Sequence, residues 1–355
     1  MRIRVTLDDI ARRTGVSKAT VSLALRHHPR IPETTRRRIC KAADHLGYRP
    51  DPALARLAAH RWRSRVAPSG STIAFVTTNH PTGDYVLDTG AIAGARAQAE
   101  AFGYSLEHFR FENYGGAAHL GAVIFNRGIR GVLLGQLMRS DFCGEFPWHH
   151  FSVVGCNVGF FRPPVHVVMP DHAHALVEAW HQASRRGYRR IGVVLFEEEH
   201  AVDEFDKTAA ALYCQDKQAP GLARIPVLHT PPDGQAAFAA WLRRERPDAV
   251  LGFNDLIEWW LRANGYRVPA DIGFASLMRM ENDRAVPGIA GMDYDLHLIG
   301  RTALELLDIQ LRTNQTGIPE RRSVQMIESR WVEGNSLQPR KAAASRRVAV
   351  KNQSR

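Results

Sequence analysis

Beyond residue 72, short and continuously apolar runs alternate with stretches of helical spacing, and this alternation leaves few architectures open. The runs 73–77, 131–134, 152–154, 191–195, 249–253 and 272–275 lack the polar–apolar period of a strand with one wet face. Between them, 90–102, 173–186, 236–244 and 256–263 carry the spacing of helices. Strands apolar on both faces need cover on both faces, so the sequence predicts an α/β body of parallel sheets flanked by helices. Open sheets of this kind bind ligands outside the carboxyl ends of their strands. A chain of 355 residues that is 45% hydrophobic has material for two or three such domains.

Charge separates the first part of the chain from this body. Residues 1–66 hold 16 Lys and Arg against 5 Asp and Glu, an excess of 11 that equals the net charge of the whole chain. Residues 340–355 add 6 basic and no acidic side chains, which leaves the stretch between mildly acidic. A basic head on an acidic body points to a polyanion as partner of the head alone. The four cysteines, Cys40, Cys143, Cys156 and Cys214, are scattered without a Cys-x-x-Cys pair, which fits a reducing cytoplasm better than a disulfide framework. No run of 18 apolar residues and no secretory leader is evident, so a cytoplasmic location without membrane attachment is expected.

Within the head, Thr6 is placed to cap a helix with Asp8 and Asp9 in its first turn and Leu7, Ile10 and Ala11 on one face. Gly15 supplies a tight turn with Val16 buried beside it, and Ser17 caps a second helix in which Val21 and Leu25 face inward. Lys18, Ala19 and Ser22 then face outward. After Pro29 and Pro32, residues 33–46 form a third helix with Ile39, Ala42, Ala43 and Leu46 inside. Two short helices around a Gly-Val turn, braced by a third, make the module that sets a helix into the DNA major groove.

The run Val5-Thr6-Leu7-Asp8-Asp9-Ile10-Ala11, then Gly15-Val16-Ser17, Thr20-Val21-Ser22, Thr35-Arg36 and Leu46-Gly47-Tyr48-Arg49-Pro50, closely resembles the DNA-binding domain of the LacI/GalR family of bacterial repressors. That resemblance implies that Lys18 and Ala19 read bases at the start of the recognition helix. Lys donates to guanine O6 or N7, and Ala touches a thymine methyl. It implies phosphate contacts for Thr6, Ser17, Thr20, Ser22, Arg26 and Arg30, which set register rather than sequence. Leu23 departs from the Arg often found there and removes a guanine contact. The family also carries a hinge helix that wedges a leucine pair into the minor groove. Residues 51–59 fit a short helix, and Leu57 stands seven residues after Pro50; the Ala-Arg dipeptide is shifted by one, which leaves Leu54 open as the wedge.

The resemblance continues through Tyr188-Arg189-Arg190-Ile191-Gly192, the segment 247–255 ending in Asn254-Asp255, and 265–273. It implies a two-lobed periplasmic-binding-protein-like body, dimerisation through that body and a small effector in the cleft between lobes. The expected division is a helix-turn-helix head at 1–50, a hinge helix and linker at 51–71, the two-lobed body at 72–335 and a basic, disordered tail at 336–355 that adds nonspecific DNA affinity. Asn79, His80, Lys207, Asn254, Asp255, Asp293 and Tyr294 are the candidate effector contacts, carboxylate, amide and aromatic groups suited to a sugar-like ligand. Met278 stands where many sugar-responsive members have an acid, and His229-Thr230-Pro231-Pro232 lacks a stacking aromatic, so the usual hydroxyl grip is incomplete.

Other chemistry is sparse. Glu197-Glu198-Glu199 with Asp203, Glu204 and Asp206 reads as a solvated acidic loop. His166, His172 and His174 near Asp171 lack His-Glu-x-x-His spacing or cysteine support for a metal. Gly90-x-x-x-Gly94 lacks the Gly-Lys-Ser/Thr end of a phosphate loop and reads as a close helix contact; no Gly-x-Ser-x-Gly elbow is present. No cofactor, metal or enzymatic activity is expected. The reading is a homodimeric transcription repressor that binds double-stranded DNA at a palindromic operator, serves a sugar-utilisation or related metabolic operon and answers to a small effector. A solute-binding receptor on the same body, and an α/β enzyme fused to a DNA-binding head, are the alternatives.

Overall fold

Three helices make up the head of this computed structural model. It describes residues 5–25, 31–46, 48, 72–78, 86–135, 145–156, 164–196, 201–218, 222, 224–253, 256–279 and 288–340, except the side chains of 86–89 and 201–204. Helices α1 (Leu7–Thr14), α2 (Lys18–Leu25) and α3 (Glu33–Leu46) fall where capping and periodicity place them. Ile10, Val21, Ala24, Ile39 and Ala43 form their shared core, with Leu7, Ala11, Val16, Leu25 and Leu46 packed around it. Val21 and Leu25 face inward as their spacing suggests, Leu25 half-buried at the edge of the core, and the small Ala24 between them is buried as well.

The body is built from β1 (Thr72–Thr77), α4 (Val86–Phe102), β2 (Ser105–Arg110), α5 (Ala117–Asn126), β3 (Gly131–Leu134), β4 (Ser152–Cys156), β5 (His166–Pro170) and α6 (His172–Arg185). There follow β6 (Ile191–Phe196), α7 (Ala201–Lys217), β7 (Leu228–Thr230), α8 (Gln235–Glu245), β8 (Ala249–Gly252), α9 (Leu256–Ala263) and β9 (Gly273–Ser276). The chain continues through β10 (Ala290–Asp293), α10 (Leu296–Thr313), β11 (Val324–Ile327) and β12 (Arg330–Val332). Two compact units emerge, one from the chain up to Met169 with Leu296–Gln325, the other from Pro170–Asp295 and from Met326 onward. The chain therefore passes between units three times.

Each unit holds one six-stranded sheet. The first has the order β11-β5-β4-β3-β1-β2, and the second β12-β10-β9-β8-β6-β7. From β5 to β2 the neighbours in the first sheet are parallel. So are β10-β9-β8-β6-β7 in the second, and only β12 at its edge runs antiparallel to β10. The completely buried central strands β3, β4, β6, β8 and β9 explain the continuous apolar runs.

In the first unit α4 lies against α10 at unusually close range. A Cβ added at Gly94 would stand 1.9 Å from the His297 carbonyl oxygen, and one at Gly300 equally close to that of Ala91. Gly90 and Gly94 are therefore a packing device, as their spacing suggests. Tyr104, in the turn after α4, donates to the Asp308 carboxylate of α10 at 2.9 Å, and burial beside that carboxylate pushes the phenol up to about 12. In the second unit Phe238, Trp241, Leu242, Trp260 and Phe274 are buried, and the Trp241 indole donates to the Pro226 carbonyl at 2.9 Å.

Two expectations are corrected. Asp203, Glu204 and Asp206 lie on α7 and not in an acidic loop, because the apolar residues beyond them carry the helix; Glu197–Glu199 lie outside the described residues. The segment 336–340, assigned to a disordered tail, belongs to the body. Ser336 Oγ donates to the Phe274 carbonyl and accepts from Ala290 N–H, both at 2.8 Å, and Leu337 is buried. Tyr188 donates to the Gln338 carbonyl at 2.9 Å, and Arg340 pairs with Asp248 at 2.6 Å. Its basic composition hid a short apolar anchor.

Candidate nucleic-acid interface and effector lobe

The head presents its second helix through two consecutive caps. Asp9 accepts from the Thr6 N–H at 2.8 Å and from its hydroxyl at 2.7 Å, and it pairs with Arg12 at 2.6 Å. These bonds, the Thr6 N–H foremost, hold the Asp9 carboxyl below the usual carboxylate range. Gly15 then ends α1 at φ 66°, in the left-handed region, with its N–H returned to the Ala11 carbonyl. Nothing stands within 4 Å of a Cβ at Gly15, so backbone conformation alone calls for glycine. Ser17 starts α2 by accepting from the Thr20 N–H at 3.1 Å, and the two hydroxyls meet at 2.8 Å.

This geometry leaves Ser17, Lys18 and Ala19 exposed at the N-terminus of α2, with Thr20 and Ser22 half-buried behind them. Thr6 is exposed at the N-terminus of α1. The Asp8–Lys18 pair ties the first turn of α1 to the first turn of α2, so the two helix starts lie side by side. Lys18 Nζ lies 2.9 Å from Asp8 Oδ2, a pairing across ten residues that local spacing does not reveal. On α3, Glu33 pairs with Arg36 and with Arg37, and these bonds, Arg37 first, hold its carboxyl down. Arg26, Arg30, Leu54 and Leu57 lie outside the described residues.

In the second unit the parallel strands bring their carboxyl ends together. Lys207, on α7, is 4% exposed, and its Nζ stands 3.9 Å from the centre of the Phe253 ring that follows β8. Phe196, at the end of β6, meets Phe253 edge-on at 6.2 Å. Tyr294, just past β10, is buried, with its hydroxyl 3.1 Å from His172 Nδ1. Asp293 pairs with Arg330 of β12 at 3.2 Å and accepts from the Asp295 N–H at 2.9 Å. Sequence reasoning weighed His172 only as a metal ligand and did not single out Phe253 or Arg330, because the contacts that join these residues to Tyr294, Lys207 and Asp293 run between separate elements. Asn79, His80, Asn254 and Asp255 lie outside the described residues.

The remaining candidates have structural employment. His166 Nδ1 bonds Ser323 on the neighbouring segment at 2.7 Å, and Asp171 caps α6 by accepting from the His174 N–H at 2.9 Å. Met278 is buried. Among the described residues no cluster of three His, Cys, Asp or Glu side chains could hold a metal ion, and no helix is long and apolar enough to cross a membrane.

A basic three-helix head with an exposed second-helix N-terminus, followed by two open parallel-sheet units, defines the class of DNA-binding regulators that carry a ligand-sensing body. The comparisons with known proteins agree. Residues 6–51 match the model of bacterial regulatory proteins, lacI family, and residues 181–337 match the periplasmic binding protein-like domain. No curated protein sequence matches the chain. Among solved structures, the transcriptional regulator CelR in complex with cellobiose is 21% identical, covers 94% of this chain and 100% of its own, and has a TM-score of 0.55. The lac repressor dimer bound to operator and the anti-inducer ONPF is 18% identical over 95% of this chain and 100% of its own, also at 0.55. The transcription regulator CcpA of Lactococcus lactis is 13% identical over 76% and 100%, at 0.61. These likenesses are ones of fold. The chain thus carries a DNA-binding domain of the lacI family at residues 6–51 and a periplasmic binding protein-like domain at residues 181–337, the pairing of a DNA-binding transcriptional regulator with an effector-binding domain.

Proposed function

We propose that this chain is a cytoplasmic, homodimeric repressor that holds a palindromic operator with two heads and is controlled by a small, polar, sugar-like effector. The observation that carries the DNA-reading assignment is the exposure of Lys18 and Ala19 at the end of a helix that the Ser17 cap and the Ile10–Val21–Ile39 core hold in place. Lys18 reads a guanine and Ala19 a thymine methyl. Thr6, Ser17, Thr20, Ser22, Arg26 and Arg30 hold phosphates, and Leu57 or Leu54 wedges the minor groove. Twofold symmetry of the protein calls for a twofold site.

The effector is held at the carboxyl ends of the second unit's strands, with Lys207 as its cationic contact. Asn79, His80, Asn254 and Asp255 add amide, imidazole and carboxylate groups, whereas Asp293 and Tyr294 reach a ligand only by sharing their present partners. Such a ligand must bind one conformation of the body better than another to change operator affinity. The regulated genes in this reading are those of sugar utilisation or a related metabolic route, with the CelR–cellobiose complex as the supporting parallel.

The test is selection of duplexes from a random DNA pool by the full-length protein, with affinities followed across salt. A palindrome with a steep salt slope supports the reading. Salt-sensitive binding without any motif, in the presence and absence of a sugar panel, sinks it.

A further inference from the structure

Resting on the DNA-reading assignment of the head, we infer that Asp8 is a second base-reading residue, which accepts from a cytosine amino group next to the guanine that Lys18 contacts. The two acids of the first turn of α1 are employed differently. Asp9 is consumed by the Thr6 cap and by Arg12. Asp8 takes no part in that cap and turns to Lys18 on the next helix, with 2.9 Å between Nζ and Oδ2. Both side chains remain more than half exposed, at 60% and 57%. An exposed ion pair of this kind contributes little to folding, so stability gives Asp8 no strong reason to lie there.

Recognition gives it one. Wherever Lys18 reaches in the groove, a carboxylate travels within one hydrogen-bond length of its ammonium. That separation is close to the ~3.4 Å rise between successive bases of one strand, so Asp8 reaches the edge of the base pair adjacent to the one that Lys18 contacts. In the major groove guanine presents the acceptors O6 and N7 to the ammonium, and cytosine presents the N4 amino donor to the carboxylate. Thymine O4 and guanine O6 would face the carboxylate with a second acceptor and be rejected. Adenine sets its N7 acceptor beside its N6 donor and suits a carboxylate less well. The ammonium–carboxylate pair is therefore complementary to a guanine–cytosine edge, and its internal ion pair keeps both groups extended at the groove-facing end of the head before DNA arrives.

The experiment is selection from a random duplex pool by the full-length protein and by its Asp8→Ala, Asp8→Asn and Lys18→Ala variants, with folding checked by circular dichroism. The wild-type motif should contain one guanine and one neighbouring cytosine per half-site. Asp8→Ala should lower discrimination at the cytosine roughly tenfold and leave the other positions unchanged. Asp8→Asn should move that position toward adenine, which an amide reads through N6 and N7. Lys18→Ala should relax the guanine. If Asp8→Ala alters only the guanine position, or strengthens binding to every sequence alike, Asp8 merely holds Lys18 or repels DNA, and the inference is overturned. A wild-type motif without the cytosine overturns it as well. Failure of the wild type to select any motif removes the DNA-reading assignment itself, an outcome distinct from a motif that Asp8→Ala leaves intact.

Discussion

Replacing Gly15 by alanine isolates the conformational demand of the turn that aims the recognition helix. Gly15 sits at φ 66°, and no atom lies within 4 Å of where a Cβ would stand, so no steric overlap adds to the cost. An alanine forced into the left-handed region costs about 1–2 kcal/mol. Its smaller unfolded-state entropy returns roughly 0.4–1 kcal/mol. The net loss is about 1 kcal/mol, roughly a fivefold shift in the folding equilibrium of the head. Asparagine tolerates this region, so Gly15→Asn should lose only a few tenths of that unit. The assay is urea-dependent hydrogen exchange in the full chain, read at the amides of Ile10, Val21 and Ile39, which report the head core without the larger signal of the body. Because a head that is folded almost all the time stays so after a fivefold shift, operator affinity under native conditions should change by less than about twofold. Alanine as harmless as glycine would refute the left-handed turn. A loss above about 3 kcal/mol for both variants would show a packing contact where the structure has open space.

Gly94→Ala should behave in the opposite way: its methyl would stand 1.9 Å from the His297 carbonyl oxygen, so α4 and α10 must part, and the first unit should lose about 3 kcal/mol or more in a urea melt. Asp9 and Glu33 have carboxyls held below their ordinary values, Asp9 by Thr6 and Glu33 chiefly by Arg37 and Arg36. Their contribution is therefore complete above the unfolded values near ~4 and is lost as pH falls through the depressed ones, so protection of α1 and α3 amides should be flat near neutrality and decline in acid, less so in Asp9→Asn. Lys207→Met keeps length and removes the buried ammonium over Phe253; the change in operator affinity caused by any effector found in a sugar screen should be lost, with folding of the lobe followed by circular dichroism, and an unchanged response would take Lys207 out of the ligand site.

Legibility followed the range of the signal. The head was readable almost residue by residue because its information is local. Asp9 accepts from the Thr6 N–H and Ser17 from that of Thr20, each three positions away, Gly15 marks a backbone angle, and Ile39 and Ala43 repeat at helical spacing. The buried central strands were readable because burial on both faces leaves an unbroken apolar run. Strands at or near the sheet margins were not. In β2 only Leu106 and Phe109 are buried, an irregular spacing that matches neither period, β11 is four residues long and largely exposed, and β12 has three residues, none of them buried. Helix α10 carries its close-packing glycine, Gly300, against Ala91 of a helix some two hundred positions earlier, and only the fold reveals that relation.

The candidate sites divide along the same line. The resemblance named Lys18, Lys207, Asp293 and Tyr294, but each one's surroundings include a partner from another element: Asp8, Phe253, Arg330 and His172. Partnership changes the meaning of the first residue. A lone recognition lysine is a cation that any phosphate or purine N7 can satisfy, and it adds affinity for DNA of every sequence. A lysine held beside a carboxylate must exchange or share that partner on binding, and it gains most where the DNA offers an acceptor to the ammonium and a donor to the carboxylate together. The acid thus converts a nonspecific attraction into a difference between sequences, and specificity is such a difference of affinities. The basic head can then carry its excess of charge without surrendering discrimination, because an acid stands beside the lysine assigned to the base edge.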